Sequence, residues 1–347
     1  MTWLTWRQFR APAAAAIGAL VAFAILLAAT GPSLASRFAG SGITGCHGSF
    51  AGGGCDSAAI AFLNRLAATT LYPAVYALGF VVVVIAPAII GIFWGAPLIA
   101  RELETGTYRL AWNQSVTRNR WLTVKLALTG LAAVAVTEGL ALMFGWWAAP
   151  IGQAARVTSS DFPLGMGPFS LPAFDAHGIT PLGYAAFAFA LGVTAGVLIR
   201  RAVPAMAVTL IIFAAVQIAM PLGIRPYLFP PVHTTASLSG EFSGGQTISP
   251  GGGFALAVGH VRTEPGAWIY SSGAVNAAGH PVSIMPAACI QNNDPLPCLA
   301  SHGIRVAITY QPTSRYWALQ WTETAIYLAL ALALAGFCFW RVSRRRY

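Results

Sequence analysis

Apolar residues fall into six long runs, at about 13–35, 74–99, 121–149, 181–199, 202–221 and 317–340. Each can supply the roughly 20 helical residues that cross a hydrocarbon core of about 30 Å. The pattern predicts an all-α polytopic membrane protein with about six transmembrane helices. Only Arg200-Arg201 separates the fourth run from the fifth, and that pair, followed by Pro204, reads as a tight hairpin turn. Trp and Tyr favour headgroup depth. They bracket the third run, from Trp121 to Trp146-Trp147, and the sixth, from Tyr316-Trp317 to Trp340.

The segments between the runs differ in character. Residues 36–73 and 150–180 read as loops. Residues 222–316 are rich in Gly, Pro and Ser but hold strand-like stretches at Ala267–Tyr270, Val282–Met285 and Arg305–Tyr310, the last nearly alternating. A small β-containing cap between helices 5 and 6 is expected there. The chain then divides into residues 1–221 (helices 1–5 with a loop at 100–120), the cap at 222–316, and helix 6 with a basic tail at 317–347. The first ten residues mix Trp3, Trp6 and Phe9 with Arg7 and Arg10. They suit either a short interfacial helix or an ordinary aromatic and basic flank of the first run. That run is longer than a signal-peptide core and is read as a retained anchor.

Charge orients the bundle. Of 347 residues 9% are charged and 56% hydrophobic, with a net charge of +10, whereas soluble domains carry about 25% charged residues. With the N-terminus inside, 13 of the 20 basic residues fall in roughly 50 inner positions and 7 in roughly 160 outer ones. The positive-inside rule therefore gives N-in/C-in, with the cap extracellular and the plasma membrane as location. The basic residues lie beside apolar runs, so lipid headgroups explain them and nucleic acid does not. Cys46 and Cys55, and Cys289 and Cys298, form two close pairs on the outer side, where oxidation is possible, and two local disulfides are expected.

Several chemistries are excluded. A P-loop needs Gly-Lys-Ser/Thr, but the one lysine, Lys125, sits between Val124 and Leu126. HExxH and GxSxG are absent, and no two of the six histidines are spaced for a helical metal site, so neither a catalytic residue nor a metal ligand is assigned. Acids inside apolar runs are costly and face a partner or a wet cavity. Glu138 lies about 26 Å of helix beyond Trp121, and Glu323 about 9 Å beyond Trp317. Gln320, Glu323, Thr324 and Tyr327 form one polar stripe, and Gln217 lies near the outer end of the fifth run. Neither acid has an evident basic partner within the runs. Glu138, Gln217, Gln320 and Glu323 are candidates for a translocation pathway; the competing reading is hydrogen bonding between helices. Gly192 and Gly196 form a GxxxG pattern that permits close helix approach, inside the subunit or across a dimer.

The most distinctive segment runs from Arg101-Glu102-Leu103-Glu104-Thr105-Gly106-Thr107 to Thr117-Arg118-Asn119-Arg120-Trp121-Leu122-Thr123-Val124-Lys125. Ile99, Leu103 and Leu110 share a helical face. The second helix should extend past the membrane and break near Gly106, a short amphipathic helix should follow, and Thr117 should cap the third helix. Here the chain resembles the permease subunits of ABC-2 type transporters, which carry Arg-Glu-x-x-x-Gly-Thr after the second span and Ser/Thr-Arg-x-x-Trp-Leu-x-x-Lys into the third. The resemblance implies a separate P-loop ATPase docked on this loop, ATP and Mg on that partner with no cofactor in this chain, and a second permease subunit in a homodimer or heterodimer. Glu102, Glu104, Tyr108 and Arg109 become candidates for ATPase coupling, and the function becomes translocation, in the export direction, of an unidentified substrate. Two alternatives stand beside it: a sensor or scaffold whose cap binds a ligand, and a secondary transporter.

Overall fold

The computed structural model describes residues 2–46, 54–106, 117–157, 164, 166–238, 244–248, 254–258, 266–290 and 295–344. Among the described residues six helices are long and apolar enough to cross a membrane: Arg10–Ala39, Leu71–Thr105, Arg118–Val157, Thr180–Ile199, Ala202–Tyr227 and Thr313–Arg344, here spans 1 to 6. All six apolar runs are thus helical. Span 1 continues an unbroken helix that begins at Thr2, which fits the flank reading of the N-terminus rather than a separate interfacial helix. Span 5 runs past the expected end at 221, because a π turn at Met220–Ile224 and a 3₁₀ turn at Arg225–Tyr227 prolong it.

Span 4 is the central helix. Of its apolar window 78% is buried, against 22% for spans 1, 5 and 6. A helix apolar all round has no face for water and belongs in the middle of a bundle. Its tightest contact is with span 2, and small residues make it possible. A Cβ on Gly192 would lie 2.2 Å from the Gly91 carbonyl oxygen, and one on Gly196 would lie 2.5 Å from that of Ala96. The GxxxG pattern therefore serves close packing inside the subunit. Span 2 itself is interrupted at this crossing by a π turn, Gly91–Gly95. Arg200, with a left-handed φ of 60°, and extended Arg201 form the turn from span 4 to span 5.

Two apolar clusters mark the two ends of the bundle. Ala13, Ile99, Trp121 and Val342 pack together at what we call the terminal end. Leu34, Phe38, Tyr72, Ile151 and Ala154 pack at the opposite, sheet end. There the expected loop 36–73 contains a helix, Gly54–Ala67, which buries Ala59, Phe62, Leu63 and Leu66. Disulfide Cys46–Cys55 ties its start to the end of span 1.

Among the described residues between spans 5 and 6 lie five strands: β1 Val232–Ser237, β2 Gly244–Ile248, β3 Phe254–Val258, β4 Trp268–Val275 and β5 Arg305–Gln311. β1, β5 and β4 form an antiparallel sheet in that order, and β2 pairs with β3. The register sets Val232 opposite Tyr310 and Trp268 opposite Gln311. The alternation in β5 is real: Val306, Ile308 and Tyr310 are buried in one apolar cluster with Met285, Cys289 and Leu299. Val282–Met285 is not a strand. Pro281 forms one isolated bridge to Val275, and two flanking prolines, Pro281 and Pro286, remove N–H donors from any ladder. Met285 reaches the core from an irregular segment instead. Disulfide Cys289–Cys298 links the short helices Ala287–Ile290 and Pro295–Ser301.

Candidate functional site

At the terminal end, span 2 extends to Thr105 and stops at Gly106, whose φ of +72° is left-handed. A glycine there ends a helix without the Cβ penalty other residues meet. Ile99 is buried and Leu103 packs beside it against Trp121 and Val342, so the expected apolar face is the one that holds the extension down. Thr117 caps span 3: its Oγ1 accepts from the Arg120 N–H at 3.4 Å. Tyr108, Arg109 and Leu110, with the expected amphipathic helix, lie outside the described residues.

The two acids of this extension are engaged inside the subunit. Glu102 forms an ion pair with Lys125, whose side chain is 2% exposed and whose Nζ lies 5.0 Å from the Trp121 ring centre. Glu104 Oε2 accepts from the Ala202 N–H at 3.2 Å. A carboxylate at the start of a helix satisfies a free donor and meets the positive end of the helix dipole. Glu102 thus links span 2 to span 3, and Glu104 links it to span 5.

A second polar layer lies at the sheet end. Arg225, 1% exposed, is held along one edge at two points by Glu323, which is fully buried: Nε donates to Oε2 at 2.7 Å and Nη2 to Oε1 at 2.9 Å. Nη2 also pairs with Asp175 of the short helix Leu171–Ala176. Tyr184 of span 4 donates to Glu323 Oε1 at 2.6 Å. The guanidinium lies 4.1 Å from the Phe174 ring centre. Burial pushes the Asp175 carboxyl above its ordinary range, with Arg225 opposing that shift most strongly. One guanidinium thus holds two carboxylates, of which Glu323 has the two-point grip. The sequence offered Glu323 no basic partner, because Arg225 was placed in the segment beyond span 5. The π and 3₁₀ turns carry it back into the bundle.

The rest of the stripe is also partnered. Gln320 Oε1 accepts from the Ile179 and Thr180 N–H groups at 3.0 and 3.1 Å, and its Nε2 donates to the Phe174 carbonyl at 3.1 Å. It therefore caps span 4. Tyr327 donates to Gln217 Oε1 at 2.7 Å. Glu138 stands apart from both layers; its Oε2 is buried without a hydrogen-bond partner. Beside the polar layer, His177 hydrogen-bonds through Nδ1 to the Ala173 carbonyl at 2.8 Å, and burial pushes its imidazole below the ordinary 6.5. Cys289, Cys298 and His302 come within metal-ligand distance of one another, but the two sulfurs are bonded to each other.

With this geometry in place, comparison with known families is decisive: the model of the ABC-2 membrane transporter related family matches residues 17–225. The chain belongs to that family. Neither the curated proteins nor the solved structures gave a match. The ABC-2 match covers spans 1 to 5, including the extension with Glu102 and Glu104, and ends at Arg225. Sheet and span 6 lie beyond it. Family membership supports an ABC-2 type permease, and permeases of that type are membrane components that normally work with a separate ATPase subunit.

Sequence reasoning missed Asp175, Tyr184 and Arg225 as site residues, and used Lys125 to exclude a P-loop, as an inner charge and as the last position of a motif, not as an ion-pair partner. A signal existed for Lys125: it is the one lysine of the chain, and it stands in an apolar run four residues after Trp121. Arg225 gave a weaker one, as a lone arginine just past an apolar run whose neighbour span contains a lone glutamate.

Proposed function

We propose that the chain is the permease subunit of an ABC exporter of the plasma membrane, oriented N-in/C-in, in which ATP and Mg act on a separate P-loop ATPase. A second permease subunit, identical or related, would complete the translocator. The observation that carries this reading is the extension of span 2 past the bundle, with both of its acids tied to other spans. The ATPase would press on residues 101–120, with Tyr108 and Arg109 in the contact. Glu102 and Glu104 would then act as links, so that a displaced extension drags spans 3 and 5 with it. Charge asymmetry supports the orientation, since the extension lies on the side rich in arginine.

Glu138, Gln217, Gln320 and Glu323 remain the proposed pathway residues, with different requirements. Glu138 already has an unpartnered oxygen. Gln217, Gln320 and Glu323 are engaged by neighbouring helices and would reach a substrate only if spans 4 and 6 separate during the cycle.

The test is affinity purification of the full chain from its own membranes, with partners identified and ATP hydrolysis measured. A P-loop ATPase should co-purify, and Glu102→Lys with Glu104→Lys should lower transport-linked hydrolysis while membrane insertion stays intact. Recovery of the intact chain without any ATPase, or full coupling in the double variant, would refute the reading.

A further inference from the structure

At the sheet end a cavity of about 840 Å³ opens between the end of span 1, the end of span 3 and the start of span 6. It adjoins the Arg225 layer across Ala173, His177 and Tyr316 but includes neither Arg225 nor the carboxylates it holds, and it lies apart from the extension of span 2. Its size falls in the range of about 300–1,000 Å³ typical of small-molecule sites. Its walls are of two kinds. Phe38, Ile43, Val157 and Met166 give an apolar side, and Arg156, Gln153 and Tyr316 give a polar one.

Charge and shape narrow the occupant. Arg156 is the one charged side chain of the described lining, and among the described residues it has no carboxylate within ion-pair distance. A cation beside an apolar wall favours a ligand that is anionic at one end and apolar along its body. Gly152 marks the empty space directly: a Cβ built there meets nothing within 4 Å. A glycine inside a helix costs roughly 0.5–1 kcal/mol relative to alanine, yet span 3 leaves this position bare where it faces the cavity. The wall is also braced, because the turn Ile43–Gly45 lines it and disulfide Cys46–Cys55 ties the end of that turn to the helix Gly54–Ala67.

We propose that this cavity binds an amphipathic organic anion, with its anionic group on Arg156 and its apolar body against Phe38, Ile43, Val157 and Met166. The binding stands on the cavity alone; that the ligand is cargo rests on the permease reading above. The ligand enters from the water or from the facing leaflet, and the experiment separates these sources.

The full chain, without any ATPase, is placed in phosphatidylcholine nanodiscs. Octyl phosphate is titrated and followed by tryptophan fluorescence, with empty discs subtracting partition into lipid. Octyl glucoside serves as the neutral tail and inorganic phosphate as the bare anion. Octyl phosphate should saturate one site per chain, and both controls should bind at least about tenfold more weakly. Arg156→Gln should weaken octyl phosphate about tenfold. Gly152→Phe, which fills open space, should abolish saturable binding while thermal unfolding and elution volume stay those of the native chain. Displacement by phosphatidylglycerol added to the disc identifies a leaflet lipid as the source, and undiminished binding identifies a solute; both support the site. Equal binding of octyl glucoside, full competition by inorganic phosphate, or unchanged binding in a well-folded Gly152→Phe chain would each overturn the proposal. Because no ATPase or transport is involved, such a failure leaves the permease reading where it stands.

Discussion

Arg225→Met tests whether the buried ion cluster holds spans 4, 5 and 6 together. Methionine keeps the length and the contact with Phe174 but removes the charge and its donors. Among the described residues Glu323 Oε2 then has no partner, since Arg225 Nε is its one hydrogen-bond donor there, and Oε1 keeps Tyr184 alone. Glu323 is fully buried, so the stranded carboxylate has no access to water. Breaking a buried pair from one side costs about 3–5 kcal/mol. Arg225→Met with Glu323→Leu removes both charges. Asp175 loses its cation as well, but burial already raises its pKa, so it can take a proton; with Glu323 replaced, the Tyr184 hydroxyl 3.1 Å away is left to Asp175 as its partner. Replacing a buried pair by apolar groups is often close to neutral. The double variant should therefore recover at least about 2 kcal/mol of the single variant's loss. Reversible unfolding in mixed micelles, with far-UV ellipticity as signal, measures both. An Arg225→Met chain within about 1 kcal/mol of the native one, or a double variant that loses the sum of the two single effects, would show that the cluster does not carry this load.

Three further outcomes follow from the same structure. Gly192→Ala should lower stability by at least about 1–3 kcal/mol in that assay, because its Cβ would meet backbone at 2.2 Å, whereas Gly18→Ala, which meets nothing within 4 Å, should be neutral or slightly stabilising; equal effects would remove the close crossing of spans 2 and 4 as an explanation. Burial lowers the pKa of His177 below 6.5, so its contribution is fully present above that value and is lost as pH falls through it; between pH 7.5 and 5.5 stability should drop by up to about 1 kcal/mol, and His177→Asn should flatten the slope, with an unchanged slope counting against the assignment. Cys46→Ser with Cys55→Ser should cost roughly 2–3 kcal/mol for a closed loop of this length, read as loss of the helix Gly54–Ala67 by protease sensitivity; native resistance would show that apolar packing alone holds that helix.

Much of the fold was legible because bilayer crossing demands length and apolarity, and both are written in single runs of residues. Strand β5 was legible for a similar local reason, as Val306, Ile308 and Tyr310 alternate with polar or small neighbours. Helix Gly54–Ala67 was legible but passed over: Ala59, Phe62, Leu63 and Leu66 have helical spacing, yet the segment is too short to span and follows a glycine-rich stretch. Val282–Met285 misled because β-branched residues suggested a strand while the prolines at both ends forbade one. The extension of span 2 and its stop at Gly106 came through, since apolar spacing and a helix-ending glycine are local signals. The partners of its acids did not. Glu102 meets Lys125 across 23 positions, Glu104 meets Ala202 across 98, and Arg225 meets Glu323 across 98. Nothing local records such pairings; they depend on which helices become neighbours.

Those pairings also limit how the bundle can move. Span 4 is fixed to span 2 where Gly91, Gly95, Gly192 and Gly196 bring backbones together, and small residues in such a crossing leave little room for sliding. Below the crossing, span 2 is tied to span 3 through Lys125 and to span 5 through the Ala202 N–H. Beyond span 4's far end, Arg225 joins span 5 to span 6, and Gln320 joins span 6 to the start of span 4. A push on residues 101–106 therefore cannot move span 2 alone without breaking a buried ion pair. The lower-cost motion carries spans 2, 3 and 5 together at the terminal end, and the π turn at Gly91–Gly95 is where span 2 can change direction. Lys125→Met separates this account from a simple docking role for Glu102. It leaves the exposed face of the extension intact, because Lys125 is buried, but cuts the link to span 3. On the proposed function, ATPase binding should persist while transport per ATP hydrolysed falls severalfold. Unchanged transport in a folded Lys125→Met chain would mean that the link transmits nothing and that any role of Glu102 lies at the surface.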